Sequence, residues 1–376
     1  MRGTRVATIV IGFVLVALAH GAGAQTTEGR LSQLEQEIAD MKKQHSDGRL
    51  LDNVHFGGYG ELHYNNPSGS GDASDTESID FHRFVLFIGY DFSDRIRFNS
   101  ELELEHSLSG NGEPGEVELE QAYIDFTLND SHTARGGLLL LPIGILNETH
   151  EPTTFYGVER NAVEKNIIPT TWWEAGAGAH GQLLGDISYA AYIHSGLMTS
   201  TNSSYAVRSG RQKVAKAQAS DLAGTLAVNW QIPGVTVGGS LQYQSDITQG
   251  ADSDAGEALL REVHVDVQKG SVALLALYAH WTLDGDGPKA YGADEQYGWY
   301  IEPSFRPIET VGFFARYSEW SNSAGHSNSN AEKTQYDAGL NWWPHRQVVL
   351  KADYQWQDNE DGKDQSGFNL GLGYDF

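Results

Sequence analysis

The feature that most constrains this chain is the rhythm of its connections. From Val54 to Phe376 the sequence runs in segments of about ten to fourteen residues that alternate apolar with polar, the period of two that marks strands. "IRFNSELELEH" sets Ile96, Phe98, Leu102 and Leu104 on one side and Arg97, Asn99, Glu101, Glu103 and Glu105 on the other. The separators alternate as well. Seven tight turns fall near Ser93-Asp94, Asn129-Asp130, Gly185-Asp186, Pro233-Gly234, Lys269-Gly270, Arg306-Pro307 and Pro344-His345. Eight long stretches, such as "NPSGSGDASDTES" and "SGNGEPGE", lie between them. Fifteen connections join sixteen strands. A soluble sandwich has no reason to alternate short and long connections, whereas a transmembrane barrel has short periplasmic turns and longer external loops. The strands match a tilted span of about 9–11 residues, and closure removes the edges that lipid would not tolerate. The predicted fold class is all-β: a 16-stranded antiparallel transmembrane β-barrel, preceded by a short N-terminal helix or coiled coil.

Composition agrees with that architecture. Mean hydropathy is −0.41, as expected when only one face of each strand meets lipid. Asp and Glu number 50 against 25 Lys and Arg, a formal charge of −25 that argues against a nucleic-acid partner. Cysteine is absent, so disulfides and thiolate metal sites are excluded. Aromatics bunch at strand ends, among them Tyr90-Phe92, Trp230, Tyr278-Trp281, Trp299-Tyr300, Tyr317-Trp320 and Trp342-Trp343. They read as headgroup-level belts.

The first fifty residues have their own logic. Residues 1–24 pair a basic "MRGTR" with the apolar "VATIVIGFVLVALA" and an Ala-x-Ala ending, the pattern of a secretory signal peptide cleaved after Ala24. In 25–51, Leu31, Leu34, Ile38 and Met41 repeat at three-four spacing over about two heptads. That suits an amphipathic surface helix or a short dimeric or trimeric coiled coil. The barrel is expected over 52–376.

Several runs carry a family resemblance. "DFHRFVLFIGYDFSDRIRFNSELELEH", "EVELEQAYIDF" and "LLLPIGILNETHEPTTFYGVERNAVEKNIIPTTWWEAGAG" resemble the phosphate-selective porin O and P family, and the terminal "GLGYDF" resembles the assembly signal of bacterial outer-membrane barrels. The resemblance implies an outer-membrane porin, a homotrimer, and a third external loop folded into the pore. Counting connections places that loop at about 145–173. It also implies a ladder of basic residues selecting anions.

The lumen-facing positions do not read as a basic ladder. Arg83, Arg97, Arg261, Arg316 and Lys351 fall on faces expected to point inward, with Arg160 and Lys165 in the third loop. Against them stand Glu61, Glu101, Glu103, Glu105, Glu118, Glu120, Glu262, Asp266, Glu302, Asp337 and Asp353, and Glu148, Glu151, Glu159 and Glu164 in the loop. Acidic rings favour cations. Between Glu118 and Phe126 the apolar positions change parity, which predicts a bulge. The leading expectation is a passive diffusion channel for small hydrophilic solutes or ions, in contact with outer-membrane lipid and lipopolysaccharide. Alternatives are a phosphate or polyphosphate channel using Arg83, Arg97, Arg160, Lys165 and Arg316, and a structural or adhesive barrel. No catalytic signature is present, and no cofactor or metal site is expected. "DGDGPKAYGADE" has the length of an EF-hand loop but carries Pro288 and Lys289 where an oxygen ligand and a glycine are needed.

Overall fold

The structure, a computed structural model, describes residue 36, residues 52–326 and residues 330–376. The expected signal peptide and coiled coil thus lie outside the described residues, apart from Gln36. Sixteen antiparallel strands close into one barrel: β1 (Val54–Gly69), β2 (Ser78–Ser93), β3 (Ile96–Glu105), β4 (Val117–Asn129), β5 (His132–Leu140), β6 (Trp173–Leu184), β7 (Ile187–His194) and β8 (Ala223–Ile232), then β9 (Val235–Gln244), β10 (Ala258–Lys269), β11 (Val272–Leu283), β12 (Glu295–Ile308), β13 (Val311–Ser321), β14 (Lys333–His345), β15 (Val348–Asn359) and β16 (Gln365–Asp375). Each strand pairs with its sequence neighbours. The barrel shuts where β1 meets β16, with Tyr59 opposite Asp375 and Gly69 opposite Gln365.

All seven tight connections are two-residue turns, at 94–95, 130–131, 185–186, 233–234, 270–271, 309–310 and 346–347. Gly185, Gly234 and Gly270 supply the positive φ that three of them need. The last two turns lie later than Pro307 and Pro344 suggest. Both prolines sit inside strands, where the register shifts between Phe305 and Ile308 and between Trp342 and His345. Proline has no N–H to donate, so a strand accepts it at a bulge. A proline just ahead of a turn therefore marks the bulge and not the turn itself.

Alternation sorts the side chains as expected on β3, where Glu101 and Glu103 are buried and Leu102 and Leu104 exposed. The parity change on β4 is real. Glu101 pairs with Gln121 and Leu102 with Leu119, leaving Glu120 as the extra residue of a bulge. Glu118 and Glu120 on one side of it, and Gln121, Tyr123 and Asp125 on the other, then all share the inner face. The outer belt is narrower than the sequence suggests. Phe92, Trp230, Tyr278 and Trp342 are exposed, but Trp281, Tyr300 and Trp320 are buried and point inward.

Candidate functional site

The third long connection, residues 141–172, does not stay at the rim. Its neck is pinned by Asn147, whose Nδ2 donates to the carbonyls of Leu141 (2.7 Å) and Trp172 (2.9 Å), while its Oδ1 accepts from the Trp172 N–H (2.7 Å). Beyond the neck the loop carries a short helix, α1 (Ala162–Asn166), capped by the Asn161 side chain on the Glu164 N–H. Glu164 organises the loop from within. It accepts from the Ile145 and Leu146 N–H groups (3.0 and 2.6 Å) and from the Tyr300 hydroxyl (2.8 Å). Burial raises its pKa despite those donors.

The loop is fastened to inward side chains around much of the barrel. Trp281 Nε1 on β11 donates to the Ile167 carbonyl (2.9 Å). On β14 and β15, Asn341 donates to the Phe155 carbonyl (3.1 Å), Lys351 donates to the Gly157 carbonyl (2.8 Å), and Asp353 accepts from the Val158 N–H (2.6 Å). On β1, Asn65 donates to Glu159, and His63 lies 3.1 Å from the same carboxylate. Burial alone would raise the Glu159 pKa, but the His63 hydrogen bond and charge outweigh it and hold the carboxyl well below the usual range. On β2, Arg83 donates to the His150 carbonyl (2.7 Å). Gly312, Gly371 and Gly373 leave room for the loop, since a Cβ at each would meet Tyr156, Val158 and Pro152 at close range.

This traffic explains where the expected basic residues go. Arg83 is wholly buried, bonded to Glu61 and the Tyr59 hydroxyl, with Glu103 3.8 Å away. Arg316 pairs with Glu302 (2.9 Å) and Asp337 (3.1 Å). Lys351 lies 3.6 Å from the centre of the Phe155 ring. Arg97 is exposed near a tight turn, and the Lys165 side chain is exposed on the loop. Arg261 departs from the expectation. It stands opposite His280 and Leu241 on the face that exposes Val263 and Tyr278, and it is the adjacent Glu262 that is buried inward. The strand permits only one of two successive residues on a face.

The residues that sequence reading missed come from the fourth long connection, 195–222. Arg208 Nη1 donates to the Lys165 and Thr170 carbonyls (2.5 and 2.9 Å), and Arg211 donates to the Thr171 carbonyl (2.6 Å). Arg160 donates to the Thr171 hydroxyl (2.6 Å). Burial and the neighbouring Arg211 and Arg160 charges push the Arg208 guanidinium down to about 9, still above neutral pH. None of these three arginines has a carboxylate partner among the described residues. They converge on the exit of the third loop, where β6 begins. Their charges act on a carboxylate row on β3, β4 and the residue before it: Glu103 and Glu120 feel Arg160, while Glu105 and Glu118 feel Arg211. Lys213, from the same fourth loop, bonds Glu116 (2.7 Å) and Glu118. The basic cluster was hidden because "YAVRSGRQK" has no period and sits in a loop of 28 residues.

The profile of the phosphate-selective porin O and P family matches residues 56–376. The chain belongs to that family. It is an outer-membrane porin, a channel through which small hydrophilic solutes or ions pass by passive diffusion. An uncharacterized protein of Aquifex aeolicus is 31% identical, over 86% of this chain and 80% of its own length. The barrel is similar to that of the outer-membrane channel DcaP of Acinetobacter baumannii, at 13% identity and a TM-score of 0.61 over 86% of this chain and 97% of that one. It is also similar to an anion-selective porin from Comamonas acidovorans, at 11% identity and a TM-score of 0.62 over 86% and 99%. At those identities the two structures speak for the fold of this porin alone.

Proposed function

We propose that this porin is a cation-preferring diffusion pore whose narrowest level lies between the β3–β4 wall and the third and fourth loops. The observation that carries this is the row Glu101, Glu103, Glu105, Glu116, Glu118 and Glu120. Among the described residues only Lys213, His150 and the edge of Arg83 lie within salt-bridge distance of it. A wall of one sign with low-dielectric backing concentrates counter-ions. Opposed to it, Arg160, Arg208 and Arg211 make the field run across the pore. Such a field orients solutes that carry both charges. The long loops, the third among them, face outward from the cell in this reading, and residues 1–24 are removed on export. The barrel carries no chemistry of its own, and its partners are lipid, lipopolysaccharide, its solutes and the other barrels of its assembly.

Three unpaired guanidiniums favour one second reading, an anion path along Arg160, Arg208 and Arg211. Reversal potential in a KCl gradient across a planar bilayer separates the two. Cation preference with no block by phosphate is the expected result. Anion preference, or phosphate block at low concentration, would overturn it.

Assembly as a homotrimer is part of the same proposal. Midway along β5 to β7 the outward face holds a patch of small residues, with Ala134 beside Ala179, Gly136 beside Ala177, and Ala191 next in line, bordered by the exposed Ile193. Such a flat patch lets backbones approach closely, where other strands present Leu, Phe and Trp to lipid. Native mass spectrometry should give three chains, and replacing Ala177 and Ala179 with Trp should give one.

A further inference from the structure

The β3–β4 wall holds more negative charge than its partners neutralise, and part of it is buried. Carboxylate oxygens of Glu103, Glu118 and Glu120 lie within 4.8 Å of one another. Glu103 is 5% exposed and Glu120 2% exposed, and in each the Oε2 atom has no hydrogen bond among the described residues. Buried polar atoms are almost always satisfied, and buried carboxylates more strictly so. The neighbouring cations fall short of doing this. Arg83 spends its donors on Glu61, Tyr59 and the His150 carbonyl and stands 3.8 Å from Glu103. His150 Nε2 is 3.3 Å from Glu120 Oε2 but is not aligned for a hydrogen bond. Lys213 reaches only Glu118 and Glu116, and Arg160 donates to Thr171. Glu101, the next carboxylate along, is already bonded by Tyr59 (3.2 Å) and Gln121 (2.6 Å).

We infer that Glu103, Glu118 and Glu120 bind a divalent cation on the pore wall, and that calcium is the ion whose chemistry fits. The donors are all carboxylate oxygens, the hard ligands that calcium takes. Two oxygens on opposite sides of a calcium ion, at about 2.4 Å each, stand about 4.8 Å apart, within reach of this cluster. Calcium also accepts irregular geometry and completes its shell with water, which the partly exposed Glu118 side admits from the lumen. The strand register makes the site. Alternation puts Glu118 and Glu120 on the inner face beside Glu103, which stands directly opposite Glu118, and the bulge leaves Glu120 with no residue opposite it on β3. Bound calcium would cancel two of the wall's charges and weaken its preference for cations. The site goes beyond the pore reading and does not depend on it.

Calorimetric titration of the purified full-length barrel in detergent with CaCl2, after chelator treatment, tests this. One saturable site per chain is expected. Glu103→Gln and Glu120→Gln should each weaken binding at least tenfold, while Asp284→Asn with Asp286→Asn, in the EF-hand-like segment, should leave it unchanged. Lys213→Ala should tighten binding severalfold, because it frees Glu118, and a folding defect would not produce that gain. Migration of each variant as the unheated, folded form on gels checks its barrel. No saturable binding by wild type, or binding indifferent to both glutamate variants and to Lys213→Ala, overturns the site. Reversal potentials with and without calcium form a separate arm: binding without a shift toward anions would leave the site standing and count against the proposed cation-preferring wall.

Discussion

Two walls of the same barrel are both rich in glutamate and aspartate, and they treat that charge in opposite ways. On β12 to β15, every acidic group turned inward near the third loop is used to hold something. Glu302 and Asp337 clasp Arg316, Gln335 donates to Asp337 (2.8 Å), and Asp353 takes the Val158 N–H and the Asn369 amide. Residues 155–158 of the third loop are bonded against this wall. On β3 and β4 the row is equally buried at Glu101, Glu103 and Glu120 but less completely paired: among the described residues Glu103 and Glu120 keep oxygens with no hydrogen bond, and Glu105, Glu116 and Glu118 are at least partly exposed. Charge on the first wall is structural, because it is paired out of water. Charge on the second is only partly paired, and it reaches the lumen through Glu105, Glu116 and Glu118. Composition cannot separate the two, since both read as alternating Glu and apolar residues.

The comparison breaks most completely if the loop is taken away. Deleting Thr149 to Asn166 removes the cover from β12–β15 and the counter-charge of Arg160 from β3–β4. Single-channel conductance should rise several-fold, since resistance is set at the narrowest level. Unchanged conductance would place the loop outside the current path.

Next in size is the loss of Arg316. Arg316→Ala strands Glu302 and Asp337 inside the covered wall, and breaking such a buried cluster costs about 3–5 kcal/mol. The temperature at which the barrel loses its folded gel mobility should fall, with reversal potential unaltered. A shifted reversal potential would mean that this wall also faces the permeating ions, and the distinction between the walls would fail.

The fold was legible because its signal is local. Alternation and turn chemistry are read within a few residues, and even the β4 bulge shows as a parity change at Glu120-Gln121. The site was legible in part. Arg83, Arg316 and Lys351 do turn inward, yet their work is to hold carboxylates and loop carbonyls, through pairings such as Lys351 with Gly157 that join positions far apart in the chain. Trp281 and Tyr300 look like belt residues from spacing alone and prove to be anchors for Ile167 and Glu164. Arg208 and Arg211 gave no signal, because an aperiodic loop offers no face to assign.

A smaller effect sharpens the comparison from the other side. Glu103→Gln with Glu118→Gln should lower the cation-to-anion permeability ratio severalfold, because a wall of one sign loses two of its charges. Thermal stability should stay level or rise, because a like-charge contact is removed. A ratio that does not move would assign selectivity to the arginine side.

The smallest effect is at His150, where the third loop meets β3 and β4. Burial disfavours its charge, but the Glu120 and Glu101 carboxylates, 3.3 and 3.6 Å from its Nε2, favour it more, so its pKa is pushed up to about 9. An unfolded histidine titrates near 6.5. The folded-state pKa is the higher one, so this pairing contributes fully below about pH 6.5 and is lost as pH rises through about 9. Above that, the third loop loses one tie to β3–β4 while its ties to β14 and β15, made through Asn341 and the Gly157 carbonyl, persist. Open-channel current noise should therefore grow between pH 8 and 10 in the wild type and not in His150→Gln, which has no proton to lose. Equal growth in both would mean that the loop is held on the β3–β4 side by Arg83 and the His150 carbonyl alone.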